Sequence, residues 1–442
     1  MLTAGQTKEH VLNRLGWGQS AWHSQRYDEL GSAAAYIAEQ LAGTLPQIDR
    51  LGTTIAEKVD RDVLVDRQCE AVLVDFWFNH FNVNANGPTF DTMQETVAGR
   101  AVGHHQNVAL MPNVLGDFSA MLLATTRSAS MLEYLDNASN KREFVSSSGV
   151  QYGGNDNYAR ELMELHTIGV DGGYDEFDIS EVARILTGWA YSWPELDFEY
   201  QDWAHDKEQK VVMGVFYPAG AGEEEGIELL GRLANHPSAA PFLCTKLVRR
   251  FVREDAPSGA ITQAVNAYGA NRDLGAVMTA LFNHSQFWDP ASFRAKTKPP
   301  HRFIVSGLQA LGALDPADWV DLRDQLFDFT IAGGQVPYTV APPTGYPDVS
   351  GFWVSGPSML TRFDIAQTLA YHPPLVDRIR ERSGTSGADT IFTVDEVAAV
   401  LVPGGLSDSS RVAVLDHVAA NAMTRDGRIS AAAHLILSLI HI

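Results

Sequence analysis

Along most of this chain the apolar residues recur at three- and four-residue spacing, the period of helices that bury one face. Residues 20–41 read as an Ala-rich amphipathic helix. Residues 63–81 read as another, with Val72, Phe76, Trp77 and His80 at helical spacing and Asn79 and His80 in its last turn. Further helices are predicted at 92–103 and 114–135, and a Ser- and Gly-rich loop at 139–154. The stretch 155–189, NDNYARELMELHTIGVDGGYDEFDISEVARILTGW, predicts a helix capped by Asn155 or Asp156. After a compact turn comes a second helix, capped by Asp178 or Ser180 and running to Leu186. Helical patterns resume at 223–281, 302–311 and 319–327, then close the chain at 358–369 and from 394 onward.

Two segments break this period. In 191–218, FEYQDW and KVVMGVF alternate and predict one short hairpin between them. Residues 331–354 form the longest irregular segment, with Gly333-Gly334, Pro342-Pro343 and Gly345-Tyr346-Pro347-Asp348. Loops this long inside a domain are usually functional or disordered, and Tyr338, Tyr346, Phe352 and Trp353 argue against disorder. The expected fold is mainly α: one multi-helical globular domain over 1–436, with a short β-hairpin insertion and one long irregular loop. No repeat of 20–50 residues suggests a solenoid.

Composition narrows the function. A chain of 442 residues, 45% hydrophobic, can bury a large core. Its 33 basic and 54 acidic residues leave a formal charge of -21, with acids crowded at 171–181 and 195–208. Such a surface repels phosphate backbones, so nucleic acid is not an expected partner. Cys69 and Cys244 are too few for a disulfide framework or thiolate cluster, although one bridge between them is open. No apolar run is long enough for a membrane span and the N-terminus lacks a signal-peptide core, so the chain as written is expected to be soluble and unexported. Residues 437–442, LSLIHI, read as a translated sequencing adapter rather than a natural apolar tail.

Four groups of residues carry candidate chemistry. Glu161 and Glu164 lie three apart on one helix face with Asn157 and Arg160. They suit an acid/base pair or oxygen ligands to a metal, against the alternative that Arg160 pairs with Glu164. His80, His166 and His205, the last beside Asp206, can converge on a divalent metal or be separate structural histidines; none has HExxH spacing. Lys246, Arg250 and Arg253 fall on one helix face, with Lys296 and Lys298 as neighbours. They can hold an anionic substrate group or pair with internal carboxylates. Tyr346 and Trp353 in the long loop can stack on a sugar or bury the loop. There is no GxSxG elbow, Walker loop, dinucleotide fingerprint or paired CxxC, and DGGYDEFD misses the calcium-loop spacing.

The phrase at 155–189, together with FWFNHF at 76–81, His205-Asp206, His236-Pro237, Lys296-x-Lys298 and GYPD at 345–348, resembles the bacterial domain of unknown function 1800. The resemblance covers almost the whole chain and implies one continuous unit without implying an activity. Members of that family are often exported, and their genes often neighbour those of the domain of unknown function 1501, whose members look like sulfatase or phosphatase relatives. Three positions depart from its pattern: Asp156 stands for a usual Glu, Asn113 for a His, and Arg302 for a Glu beside Lys296 and Lys298. The combined expectation is a hydrolase acting on a polar or carbohydrate-like substrate, possible divalent metal included. Its catalytic groups are Glu161, Glu164, His205 and Asp206; Asn79, Asn157, Arg160, Tyr346 and Trp353 bind substrate; His80 and His166 are metal ligands. The alternative is a non-catalytic helical partner of a protein of the 1501 family.

Overall fold

The computed structural model describes residues 1–43, 55–85, 97–145, 151–313, 315–421 and 424–439. Parts of the helix expected at 92–103 and the loop at 139–154, and the last three residues of the adapter-like tail, lie outside them. The fold is mainly α. Caps written in the sequence set many helix bounds. Thr3 caps Ala4–Leu15 in a reciprocal box with Gln6. The helix expected over 20–41 is two, Ala21–Leu30 and Ala33–Leu41, because Gly31 takes φ +70 and Ser32 starts a new cap. The pattern at 114–135 likewise divides into Phe118–Thr126 and Ala129–Tyr134.

The segment at 155–168 is not one regular α-helix. Asn157–Glu161 is α-helical; Asp156 sits at its N-cap without a side-chain cap bond, and Asn155 Oδ1 accepts from Asn157 N at 2.9 Å. Leu162–Thr167 then bonds five residues apart, as in Ile168 N to Met163 O at 3.1 Å. Side-chain directions from 162 onward therefore leave the 100° wheel. The following helix, Glu176–Ile185, takes its cap from Asp175, boxed with Asp178, not from Asp178 or Ser180.

Among the described residues, β-structure is three two-stranded antiparallel ladders and one isolated bridge, Asp117 with Asp273. The two segments expected to form one hairpin do not pair with each other. Phe198–Tyr200 pairs back onto Trp189–Tyr191, and Lys210–Val212 folds onto Val215–Tyr217. Met213 and Gly214 explain the second, since both hold positive φ, 48° and 77°, the geometry of a two-residue hairpin turn.

At the centre, every residue of the helix Pro300–Leu311 is buried, its polar side chains included. A helix covered on all sides must satisfy those groups inside the protein. Gln309 does so by donating to Asp62 O and Val63 O, both at 3.1 Å, at the end of the helix Ile55–Leu64. That contact docks the two helices and brings Asp62 to His301. Trp17, Trp77, Trp189 and Trp319 are among the largest fully buried side chains. Cys69 and Cys244 are both free and buried, so the bridge left open by the sequence is not formed. The last helix is Arg425–Leu439, and Leu437 is packed in the core. Among the described residues no helix is long and apolar enough to cross a membrane.

Candidate functional site

The last turn of the helix Gln68–His80 pins the long loop. Asn79 Nδ2 donates to Tyr346 O at 2.9 Å and its Oδ1 accepts from Tyr346 N at 2.7 Å. Gly345 crosses this clamp at φ +67, where a Cβ would overlap Asn79. Asn82 Nδ2 holds Val340 O and Pro342 O at 3.1 and 3.0 Å. The Tyr346 hydroxyl accepts from Val336 N at 2.8 Å and donates to Val336 O at 2.9 Å, and Trp353 Nε1 donates to Pro347 O at 2.9 Å. So tied, the loop roofs a cavity of about 330 Å³. This size suits a small ligand or one group of a larger one. The aromatics of the loop serve mainly to bury it, Trp353 being only 2% exposed, yet Tyr346 and Trp353 both border the cavity.

His301, in the first turn of Pro300–Leu311, forms part of the cavity wall. Its Nε2 lies 2.8 Å from Asp62 Oδ2. Asp62 is fully buried and also held by Lys58 at 3.1 Å and by Arg61. Burial alone would raise the Asp62 carboxyl, but Arg61, Lys58 and the His301 bond outweigh it and hold it well below the usual range. An ionised carboxylate cannot donate, so the proton between them belongs to His301 Nε2. Burial first, and Lys58 next, lower the imidazole pKa against the pull of Asp62. The ring is therefore neutral at pH 7, with its lone pair on Nδ1, which is buried and has no hydrogen-bond partner. Asp75 borders the same cavity and is paired with Lys58 at 2.9 Å.

Of the residues picked out by the sequence, Asn79, His80, Lys246, Arg250, Tyr346 and Trp353 border this cavity. His80 and His166 are neighbours, ring centroids 6.1 Å apart, and His80 Nε2 donates to His166 O at 3.1 Å. His80 Nδ1 faces Lys246 Nζ at 3.1 Å. Burial and then Lys246 push both imidazoles down, His166 to about 3. Burial also lowers Lys246 to about 8. Among the described residues no three His, Cys, Asp or Glu side chains gather as a metal site.

His205 and Asp206 lie elsewhere and point apart. His205 is sealed, Nε2 2.9 Å from Glu225 Oε1 and Nδ1 2.9 Å from Thr187 O, with Lys210 on the same glutamate. Asp206 accepts from Arg184 Nε at 2.8 Å and Nη2 at 3.2 Å; burial would raise its carboxyl, and the arginine bond brings it below the usual range. Both border a second, more open cleft of about 870 Å³, where Arg184 with Asp206 and Lys207 with Asp202 neutralise one another. Glu161 and Glu164 line neither space. Burial and then Glu164 raise the Glu161 carboxyl, with Arg160 opposing. Arg160 pairs with Asp156 at 3.1 Å and Glu176 at 2.9 Å, not with Glu164. Asn157 Nδ2 donates to Asp136 Oδ2 at 3.3 Å.

Sequence reasoning missed Asp62 and His301, which stand 239 residues apart and share no local motif. The available signal was a histidine inside a helix with apolar residues on every side, a position that needs a buried partner. A family model described as "Protein of unknown function (DUF1800)" matches residues 10–439. No curated protein and no solved structure matches the chain.

Proposed function

The chain belongs to the DUF1800 family of proteins of unknown function, and from that premise we propose that it is a hydrolytic enzyme whose active site is the cavity beneath the long loop. The observation that carries this reading is the Asp62–His301 pair in the cavity wall, with Nδ1 unpartnered. Asp62 fixes the ring and its tautomer. Once the buried Nδ1 of His301 opens to the cavity, it takes a proton from water as the water oxygen attacks the electrophilic centre of a polar substrate. The leaving group departs with that proton returned from the imidazolium. Lys58, shared between Asp62 and Asp75, keeps both carboxylates ionised and in place.

The test is release of 4-nitrophenol from its phosphate, sulfate, acetate and β-glucoside. Wild type is expected to turn over at least one, and His301→Gln, with an unchanged circular dichroism spectrum, to lose about 10²–10⁴-fold. Release from none of the four, or equal rates in the variant, removes the proposal. One observation favours the second reading, a non-catalytic partner of a neighbouring sulfatase- or phosphatase-like protein. Val349, Phe352 and Val354, at the end of the loop, are 37, 51 and 50% exposed. Sedimentation of a mixture of the two proteins tests it: no co-sedimentation rejects that reading.

A further inference from the structure

The cavity has a charge opposite to that of the protein. Against an overall formal charge of -21, its wall carries Lys58, Lys246, Arg249, Arg250 and Arg302, with only Asp75 and Asp348 as carboxylates. Asp75 is engaged by Lys58 at 2.9 Å and Asp348 Oδ1 by Lys296 at 2.8 Å, while Asp348 Oδ2 is buried without a hydrogen bond. The remaining four cations have no ion-pair partner among the described residues. Lys246 contacts His80 and Leu165 O, and Arg249 Nε donates to Glu254 O at 3.2 Å. Arg302 donates to Asn13 O and Gly16 O, and its Nε has no partner. Arg250 makes no hydrogen bond to any described residue, though it is only 8% exposed. Phe251 lies beneath it; the charges that feel it are the like-charged Arg14, Lys296 and Arg302 and, with the opposite sign, Asp75, which it does not hydrogen-bond.

A guanidinium this buried normally has a carboxylate or several carbonyls around it, because an unpaired buried charge is costly. Arg253, the third residue of the predicted basic face, obeys that rule, turning to Asp255 at 2.7 Å near the surface. Arg250 does not. Its planar set of donors is left free in a cavity where Arg249, Arg302 and Lys246 add charge of the same sign.

We propose that this cavity binds a tetrahedral oxyanion, the phosphate or sulfate group of a substrate, with Arg250 as its principal ligand. The proposal names the substrate class for the site taken above as the active site, and rests on that reading only for its link to turnover. Binding itself is measured without turnover. The purified chain is titrated with sodium phosphate, sodium sulfate and sodium acetate against sodium chloride at equal ionic strength, pH 7, by calorimetry and thermal denaturation.

Saturable stabilisation by phosphate or sulfate beyond chloride supports the proposal, and the tighter of the two identifies the ester class. Arg250→Met is expected to weaken binding at least about tenfold. Arg250→Lys, which keeps the charge and loses the fork, falls in between, and Arg253→Met binds as wild type. No effect beyond chloride, tighter binding of acetate than of both oxyanions, or unchanged affinity in a folded Arg250→Met overturns it. Anion binding without ester cleavage refutes only the hydrolase, and cleavage without anion binding refutes only this inference.

Discussion

Replacing Lys298 with methionine should make the protein more stable. Lys298 is 6% exposed; its carbonyl accepts from Arg362 Nη2, but its ammonium has no hydrogen bond or ion pair among the described residues and sits beside Arg302. Burial first and Arg302 next bring its pKa from 10.5 down to about 7, with Glu9 opposing. At about 1.4 kcal/mol for each pKa unit, that fall corresponds to roughly 5 kcal/mol against the charged form, and to roughly 4 kcal/mol at pH 7, where half the protein has lost the proton. Methionine keeps the length of the stem and brings no charge. Allowing for relaxation around the ammonium, the gain should be about 1–4 kcal/mol, as when other buried ions are replaced by apolar residues. The sign with pH follows from a folded pKa below the unfolded one. The unfolded chain binds the extra proton between pH 7 and 10.5, so wild-type stability from this group rises across that window. The advantage of Lys298→Met is therefore full below pH 7 and shrinks through the window. Urea denaturation at pH 6 and pH 9, followed by circular dichroism, measures it. A variant no more stable than wild type at pH 6 refutes the idea that this region holds uncompensated positive charge.

Asn79→Ala removes both bonds of the loop clamp and should cost about 2 kcal/mol, seen as faster hydrogen exchange over 336–349. Glu225→Gln strips the carboxylate from buried Lys210 and His205, and should lower stability by about 3–5 kcal/mol in a denaturant titration. Glu161→Gln and Glu164→Gln, whose carboxylates accept no hydrogen bond from described residues, should each change stability by less than about 0.5 kcal/mol and leave ester cleavage intact. Loss of turnover in either would move the active site away from the cavity.

Much of the architecture was readable because helices are local. Cap residues and apolar period placed most of them, whereas 331–354 is not irregular throughout, since the helix Arg323–Ala332 runs into it and Ser350–Trp353 is a short helix within it. The misreadings have equally local causes. Gly31 broke a helix that the alanines around it disguised, and Met213-Gly214 made a hairpin from a segment read as one strand. The site was harder because its chemistry is assembled over long separations. Asn79 and Tyr346 were both singled out, yet nothing in the sequence tied residues 267 apart into one clamp. The pairing of Glu161 with Glu164 assumed a regular helix, whereas five-residue bonding begins at Leu162. Lys246 and Arg250 were seen as a basic face, but whether carboxylates met them depended on Asp75 and Asp348, which turn to Lys58 and Lys296.

The most direct measurement is the pH dependence of kcat/KM for wild type and His301→Gln on whichever 4-nitrophenyl ester wild type cleaves fastest. Because burial and Lys58 lower the His301 pKa below 6.5, with Arg61, Asp62 and Asp75 the other charges around it, the base remains unprotonated to below that pH. An acid limb below pH 6.5 is expected in wild type, with a loss of about 10²–10⁴-fold at pH 7 in the variant. A wild-type limb above pH 7, or a variant as fast as wild type, would contradict it.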